Sequence, residues 1–352
     1  MFQSLPLYAL ILIFIGGAVA VWIAGIQLSN TTDVLSSRLK LGQALGGILF
    51  LAIATNLPEI AITATAGIAH NLGIAIGNIL GGIAVQTIVL VIMDAFGLRS
   101  KDALSYSAAS LQLVLEGVLV VAVLVIAIMG TQLPSSLIFA RLAPGDVLIL
   151  LTWLVGVWLV GKARTDLPWQ EKGHAPDTHP PDKKQESESK TEKWSTGRVV
   201  IVFIVASLVT LIAGVVLEES GNAIATHIGL SGVLFGATVL AAATSLPELS
   251  TGLASVKNGD YDLAFSDIFG GNAFLPVLFL LASLLSGQSA LPQAKNSDIY
   301  LASLGILLTT VYIYGLIFRP RRQFLNMGID SLIVLILYIV GVVGLFVIAR
   351  GS

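Results

Sequence analysis

Two glutamates stand where a carboxylate is expensive. Glu59 and Glu248 each follow Leu-Pro inside an otherwise apolar stretch. An ionisable group at bilayer depth costs roughly 2.5 kcal/mol or more, so it marks an interior cavity with a partner by default. A protonated, hydrogen-bonded packing group is the alternative for each. Pro58 and Pro247 remove a backbone donor and disturb the preceding helical turn, which leaves the carbonyls near Ala54 and Ala243 without their usual partner. Freed carbonyls at membrane depth need something to satisfy them, and a bound cation can. Thr55, Asn56, Thr244 and Ser245 add side-chain oxygens within one turn of each glutamate. Hard cations such as Ca²⁺ take about six to eight oxygens. Two carboxylates, freed carbonyls and these side chains could form such a cage.

A second polar row follows each glutamate. Asn78, Gly82 and Gln86 fall at i, i+4 and i+8 and share one helix face. Asp267, Gly271 and Leu275 occupy the equivalent places after Glu248. The glycines allow close helix approach. A packing-only face is the competing reading; Asp267 argues against it, although as a boundary residue it would face water. Asp267 lies eight residues before Leu275, about 12 Å along a helix axis. It is therefore expected to line an inner access path or bind a coupling proton. Glu116, inside an apolar stretch, reads as an interfacial or helix-paired carboxyl, with an ion-binding role as the second reading. Asp94, Asp330, Glu218 and Glu219 sit near span ends and read as solvated.

Ten apolar stretches must position these groups: 7–28, 41–69, 72–96, 109–130, 145–163, 197–219, 231–256, 262–286, 298–318 and 328–349. Each is near the roughly 20 residues that a bilayer-crossing helix needs. The chain is 55% hydrophobic and 11% charged, against about 25% charged in soluble domains. Its mean hydropathy is +0.90. Barrel strands would alternate at about ten-residue spacing, so helices are expected. The N-terminal run lacks preceding basic residues and is too long for a signal-peptide core; it reads as the first span. Residues 164–196 are polar, with Pro, His and mixed charges, and read as a flexible linker. They separate an N-terminal half, 1–163, from a C-terminal half, 197–352.

The halves share an internal repeat. Residues 52–84 align without a gap with 241–273, and 11 of 33 positions are identical. Ala-Thr-Asn-Leu-Pro-Glu (54–59) matches Ala-Thr-Ser-Leu-Pro-Glu (243–248). Five spans separate the copies, so they cross in opposite directions, the inverted layout of secondary transporters. Of the 19 Lys and Arg residues, 16 fall in the loops after spans 1, 3, 5, 7 and 9, including Arg38, Lys257 and Arg319. The positive-inside rule then puts the linker in the cytoplasm and both termini outside, with the cell membrane as the expected location.

The paired Thr-Asn-Leu-Pro-Glu and Thr-Ser-Leu-Pro-Glu motifs resemble the α-repeats of the cation/Ca²⁺ exchanger superfamily, which includes sodium/calcium exchangers. Gly-Asn-Ile-Leu-Gly-Gly (77–82) and Ser-Asp-Ile-Phe-Gly-Gly-Asn-Ala-Phe (266–274) do so as well. The similar motifs lie within about 41–96 and 231–286. The resemblance implies an all-α polytopic membrane fold, with ten transmembrane helices as two inverted five-helix repeats. It also implies that Glu59 and Glu248 coordinate the transported cation, helped by Thr55, Thr244 and Ser245, with Asn56 in place of a usual serine. The chain departs from the pattern at Ala54 and Ala243, where glycine is usual, and at Gly82 and Gly271, where serine is usual. Gln86 and Leu275 stand where Asn or Asp is usual.

The expected activity is secondary-active antiport of Ca²⁺ for Na⁺ or H⁺ by alternating access. A Na⁺/H⁺ or other-metal exchanger is the alternative, and a passive cation channel a further one. The cation-binding set is Glu59, Glu248, Thr55, Asn56, Thr244, Ser245, Asn78, Asp267 and Gln86. The expected partners are inorganic cations and the lipid bilayer. No enzyme activity and no cofactor beyond the transported ions are expected. A net charge of -2 gives nucleic acid no electrostatic footing. The chain has no cysteine, and His70, His174, His179 and His227 lie in or beside loops, so thiolate or intramembrane histidine sites are not in view.

Overall fold

The computed structural model describes residues 2–38, 53–97, 102–108, 110–163, 194–230, 232–257 and 259–351. The linker is outside them apart from its last residues, as is the start of the second apolar stretch. The named helices are α1 (Leu7–Arg38), α2 (Leu57–Ile68), α3 (Leu72–Gly97), α4 (Leu111–Thr131), α5 (Pro144–Ala163), α6 (Thr196–Ile228), α7 (Leu246–Lys257), α8 (Tyr261–Phe274), α9 (Leu278–Ser286), α10 (Asn296–Phe318) and α11 (Ile329–Gly351). Among the described residues the one sheet is a hairpin of β1 (Gln323–Phe324) and β2 (Met327–Gly328).

Eight helical spans among the described residues are long and apolar enough to cross a membrane, α8 and α9 counting together as one. They fall on eight of the ten apolar stretches. The remaining two, 41–69 and 231–256, carry the Leu-Pro-Glu motifs and are broken. The approach to α7 runs through a short helix (Gly232–Phe235), a π turn (Gly236–Leu240) and a further turn (Ala241–Thr244). Two boundaries differ from the hydropathy reading. α1 and α6 continue about ten residues past their apolar stretches, to Arg38 and Ile228. In the extra turns hydroxyls bond back to the helix, which satisfies them away from water: Thr31 Oγ1 donates to the Gln27 carbonyl at 2.6 Å and Ser220 Oγ to that of Val216 at 2.5 Å. Left-handed Gly229 then closes α6.

The interior is built on α3 and α8, which are buried along most of their length. Ile79, Ile83, Leu90, Phe265, Phe269 and Tyr312 fill the space between them and α4 and α10. Phe265 meets Tyr312 edge-on, with ring centroids 5.6 Å apart. α5, α6 and α11 expose apolar rows, among them Trp158, Ile212 and Val343, as lipid-facing helices must when water is absent. The packing repeats itself between halves. α1 packs along α6; α2 packs on α6 as α7 packs on α1; α4 joins α5 as α10 joins α11; and α3 meets α10 as α8 meets α4.

Candidate cation site

Each glutamate is placed by the same local construction. The helix breaks at Asn56 (φ −86°, ψ 14°) and at Ser245 (φ −80°, ψ 4°). α2 and α7 restart one residue later, with the proline at the second helical position, where its missing N–H does no harm. These angles leave the helical basin for the bridge region. Pro58 and Pro247 have no N–H to offer the carbonyls of Ala54 and Ala243 four residues earlier.

A glycine of the opposite half seats each proline. A Cβ added to Gly25 on α1 would lie 2.6 Å from Pro247 Cβ, and one on Gly214 of α6 would lie 3.0 Å from the Pro58 carbonyl oxygen. Only glycine lets these backbones close to that distance. The two glycines are 189 residues apart, the offset of the repeat itself.

Glu59 and Glu248 are both 0% exposed. They lie close enough for the charge of Glu59 to act on Glu248, and Asp267 acts on it too. The side-chain donors that act on them are exchanged between copies: Thr244 acts on Glu59 and Thr55 on Glu248. All four carboxylate oxygens lack a hydrogen-bond partner among the described residues. Thr244 and Ser245 instead donate to the Ala241 carbonyl, at 3.2 and 2.8 Å. A buried ionised carboxylate without a partner is too costly to stand alone. The pair therefore needs a counter-charge, which a cation or protons would supply.

The second polar row is brought to the same place, with one asymmetry. Asn78 is fully buried, and neither atom of its amide has a partner among the described residues. Gln86 Nε2 donates to Asn56 Oδ1 at 3.5 Å. Both lean on Gly271, where an added Cβ would lie 3.1 Å from Asn56 Nδ2 and 3.3 Å from Gln86 Oε1. On the equivalent side, an added Cβ on Gly82 would meet only the Leu275 side chain, at 3.4 Å. One flank of the site is thus polar and the other apolar.

Asp267 departs from the water-facing alternative. It is 3% exposed, and Oδ2 accepts from Thr251 Oγ1 at 2.6 Å. Thr251 sits three residues after Glu248, and its hydroxyl also lies 3.1 Å from the Glu248 carbonyl. Asp267 is therefore tied to the turn that carries Glu248. Thr251 escaped the motif reading because it lies outside the identical block, one helical turn on. Asn272 escaped it as well: its Nδ2 reaches the Ile83 carbonyl and Thr87 Oγ1, both at 3.5 Å.

Glu116 is buried and helix-paired rather than interfacial. It accepts from Gln112 Nε2 at 2.6 Å on its own helix and from Ser266 Oγ at 2.8 Å across to α8. Asp94, Asp330 and Glu218 are buried, not solvated. Asp94 and Asp330 are drawn inside because the chain folds back over the ends of their helices. Glu218 is enclosed because α1 packs along α6.

The sodium/calcium exchanger protein family matches residues 9–161 and 198–347, and the chain belongs to that family. A "Putative antiporter CaxA" of Alkalimonas amylolytica is 28% identical over 322 residues, covering 90% of this chain and 93% of that protein. The fold is that of a crystal structure of the H⁺/Ca²⁺ exchanger CAX, with a TM-score of 0.70 at 14% identity, covering 97% of this chain and 85% of that one. The sodium-calcium exchanger NCX_Mj is also similar, with a TM-score of 0.60 at 16% identity over 96% of this chain and 99% of that one. The chain is thus an all-helical polytopic membrane protein of a cation-exchanger family.

Proposed function

We propose that this protein is a cation antiporter exchanging Ca²⁺ for Na⁺ or H⁺ by alternating access at the site shared by Glu59 and Glu248. The observation that carries the reading is the pair itself: two fully buried carboxylates, one from each repeat, without hydrogen-bond partners among the described residues. A divalent cation balances two such charges at once, and one or more monovalent ions or protons can replace it. Thr55, Thr244 and the carbonyls of Ala54 and Ala243 supply further oxygens, with Asn56, Ser245 and Asn78 behind them. The polar flank of Asn56 and Gln86 favours an asymmetric ligand shell. Asp267, tied to Glu248 through Thr251, is the group through which a proton would be coupled to occupancy.

In this reading the two halves cross the membrane in opposite directions, ten crossings in all, with the broken segments around Asn56 and Ser245 meeting at mid-depth. The exchanged packing of α1 with α7 and of α6 with α2 supports it. So does the contact of Asn272 with Ile83, which are counterparts at the repeat offset and touch where a two-fold axis would pass. In the same reading the linker faces the cytoplasm and both termini lie outside the cell, which the excess of Lys and Arg in the loops on the linker's side supports.

The test is ⁴⁵Ca²⁺ flux in proteoliposomes under imposed Na⁺ or H⁺ gradients. Uphill Ca²⁺ movement driven by either gradient identifies an antiporter and its counter-ion; downhill movement alone would make it a channel. Glu59→Gln and Glu248→Gln should each abolish exchange. Normal transport by both would remove the site assignment.

A further inference from the structure

Two aspartates meet at the far end of α3, away from the exchange site. Asp94 on α3 and Asp330 on α11 are 1% and 4% exposed. A Cβ added to Gly328 would lie 2.5 Å from Asp330 Oδ1 and 3.2 Å from Asp94 Oδ2. The two carboxyls can be no farther apart than those distances laid end to end. Both oxygens of Asp94 already accept backbone donors, Oδ1 from Leu104 N at 2.8 Å and Oδ2 from Gly328 N at 2.7 Å. Neither oxygen of Asp330 closes a well-formed hydrogen bond among the described residues; the buried Ser105 hydroxyl lies beside it and the Ser331 hydroxyl beside Asp94.

The repeat supplies the comparison that interprets this cluster. Asp94 and Ser283 are separated by the repeat offset of 189, and they are held alike: Ser283 Oγ accepts from Ala290 N at 3.0 Å as Asp94 accepts from Leu104 N. Asp146, in the first turn of α5, stands opposite Ser283 as Asp330, in the first turn of α11, stands opposite Asp94. In the serine version the hydroxyl donates to Asp146 Oδ2 at 2.5 Å. In the aspartate version two acceptors face one another within the 2.5 Å and 3.2 Å laid end to end, and a bond between them needs a proton from solution.

We propose that Asp94 and Asp330 form a proton-binding site that holds one shared proton, joining α3 to α11 as the Ser283–Asp146 bond joins α9 to α5. A metal ion fits the position poorly. Both oxygens of Asp94 face backbone N–H donors, and the oxygens left among the described residues, those of Asp330, Ser105, Ser331 and Tyr312, fall short of the about six to eight that Ca²⁺ takes. The neighbouring cations turn toward Tyr106. Arg319 donates to the Tyr106 carbonyl and Arg321 to the Tyr106 hydroxyl, each at 2.6 Å. Tyr312, whose hydroxyl lies 3.1 Å from Ser331 Oγ, is the other titratable group facing the pair. Two ionised carboxylates in this position would repel without compensation. One proton converts the repulsion into a charge-assisted hydrogen bond. The proton is bound by the pair rather than by either residue. Because α3 carries Asn78 and Gln86, the site would couple its anchoring to pH.

The experiment uses the full chain in the Glu59→Gln/Glu248→Gln/Asp267→Asn background, so that the exchange site adds no protonated carboxyl of its own. Infrared spectra over a pH titration should show a protonated-carboxyl C=O band that titrates, and melting temperature should fall as the proton is lost. Both effects should disappear in Asp330→Asn. Both should also disappear in Asp94→Ser, which recreates the Ser283–Asp146 arrangement and should keep its melting temperature as pH rises. Absence of a titrating band in the parent background overturns the proposal, as does a band of undiminished intensity in either variant. A Ca²⁺- or Na⁺-dependent rise in melting temperature that Asp330→Asn removes would also overturn it and make the site a cation site.

Discussion

Gly25→Ala is a one-carbon test of how the site is positioned. The new methyl would lie 2.6 Å from Pro247 Cβ, 2.8 Å from its Cγ and 3.1 Å from its Cα. Carbon atoms rest about 3.5 to 4.0 Å apart, so α1 and the proline turn must separate by roughly 1 Å. A ring whose Cα is already in contact cannot swing away, and the displacement passes to Glu248, the next residue. Overpacking of this kind costs about 1–3 kcal/mol. Replacing glycine by alanine inside a helix returns up to about 1 kcal/mol, so the net destabilisation should be about 1–2 kcal/mol. The effect on transport should be larger, because a misplacement of about 1 Å in a preorganised site can cost on the order of 100-fold. Gly16→Ala, on the same helix with nothing within 4 Å of the added Cβ, is the control and should be neutral or slightly stabilising. Initial rates of gradient-driven ⁴⁵Ca²⁺ uptake and thermal melting would be compared for the two variants. Equal rates and melting temperatures for Gly25→Ala and Gly16→Ala would refute the seating argument.

Thr251→Val removes the hydroxyl that holds Asp267 Oδ2. It should destabilise the protein by about 1–3 kcal/mol, the usual consequence of stranding a buried polar group, and should alter the pH dependence of transport; a variant unchanged in melting temperature and pH profile would show that Asp267 is held by other means. Gln86→Leu makes the first repeat match Leu275 of the second and takes the amide donor from Asn56. It should weaken Ca²⁺ binding by roughly 5- to 10-fold, the equivalent of about 1 kcal/mol for one hydrogen bond, and unaltered affinity in a binding titration would place Gln86 outside the ligand shell.

Most of the architecture was readable because its causes are local. Long apolar runs dictate helices, and Leu-Pro-Glu dictates a break followed by a restart, so Glu59 and Glu248 could be named from their neighbours alone. The failures share a different cause. Asp94, Asp330 and Glu218 look like boundary residues when only their own helices are considered. They are buried by other elements: the Leu104–Ser107 turn and the β1–β2 hairpin fold over α3 and α11, and α1 packs along α6. The tie from Asp267 to Thr251 is not visible in the motif, since Thr251 lies on the preceding helix and has no counterpart hydroxyl aligned with it in the first repeat. The exchange of Thr55 and Thr244 between glutamates is likewise invisible in either motif alone. It arises only when the two copies face one another.

The Asn56–Gly271 contact has a consequence for how the chain can change. Space left by the missing side chain at Gly271 is occupied by Asn56, a residue from the opposite copy and 215 positions away. The wall of the site is thus a joint volume divided between two helices. A serine placed at Gly271 alone would push its Cβ to 3.1 Å from the Asn56 amide, whereas a serine there with a smaller residue at Asn56 would fit. Residues at this seam are constrained in pairs: a substitution acceptable in one copy depends on what the other copy has already placed against it.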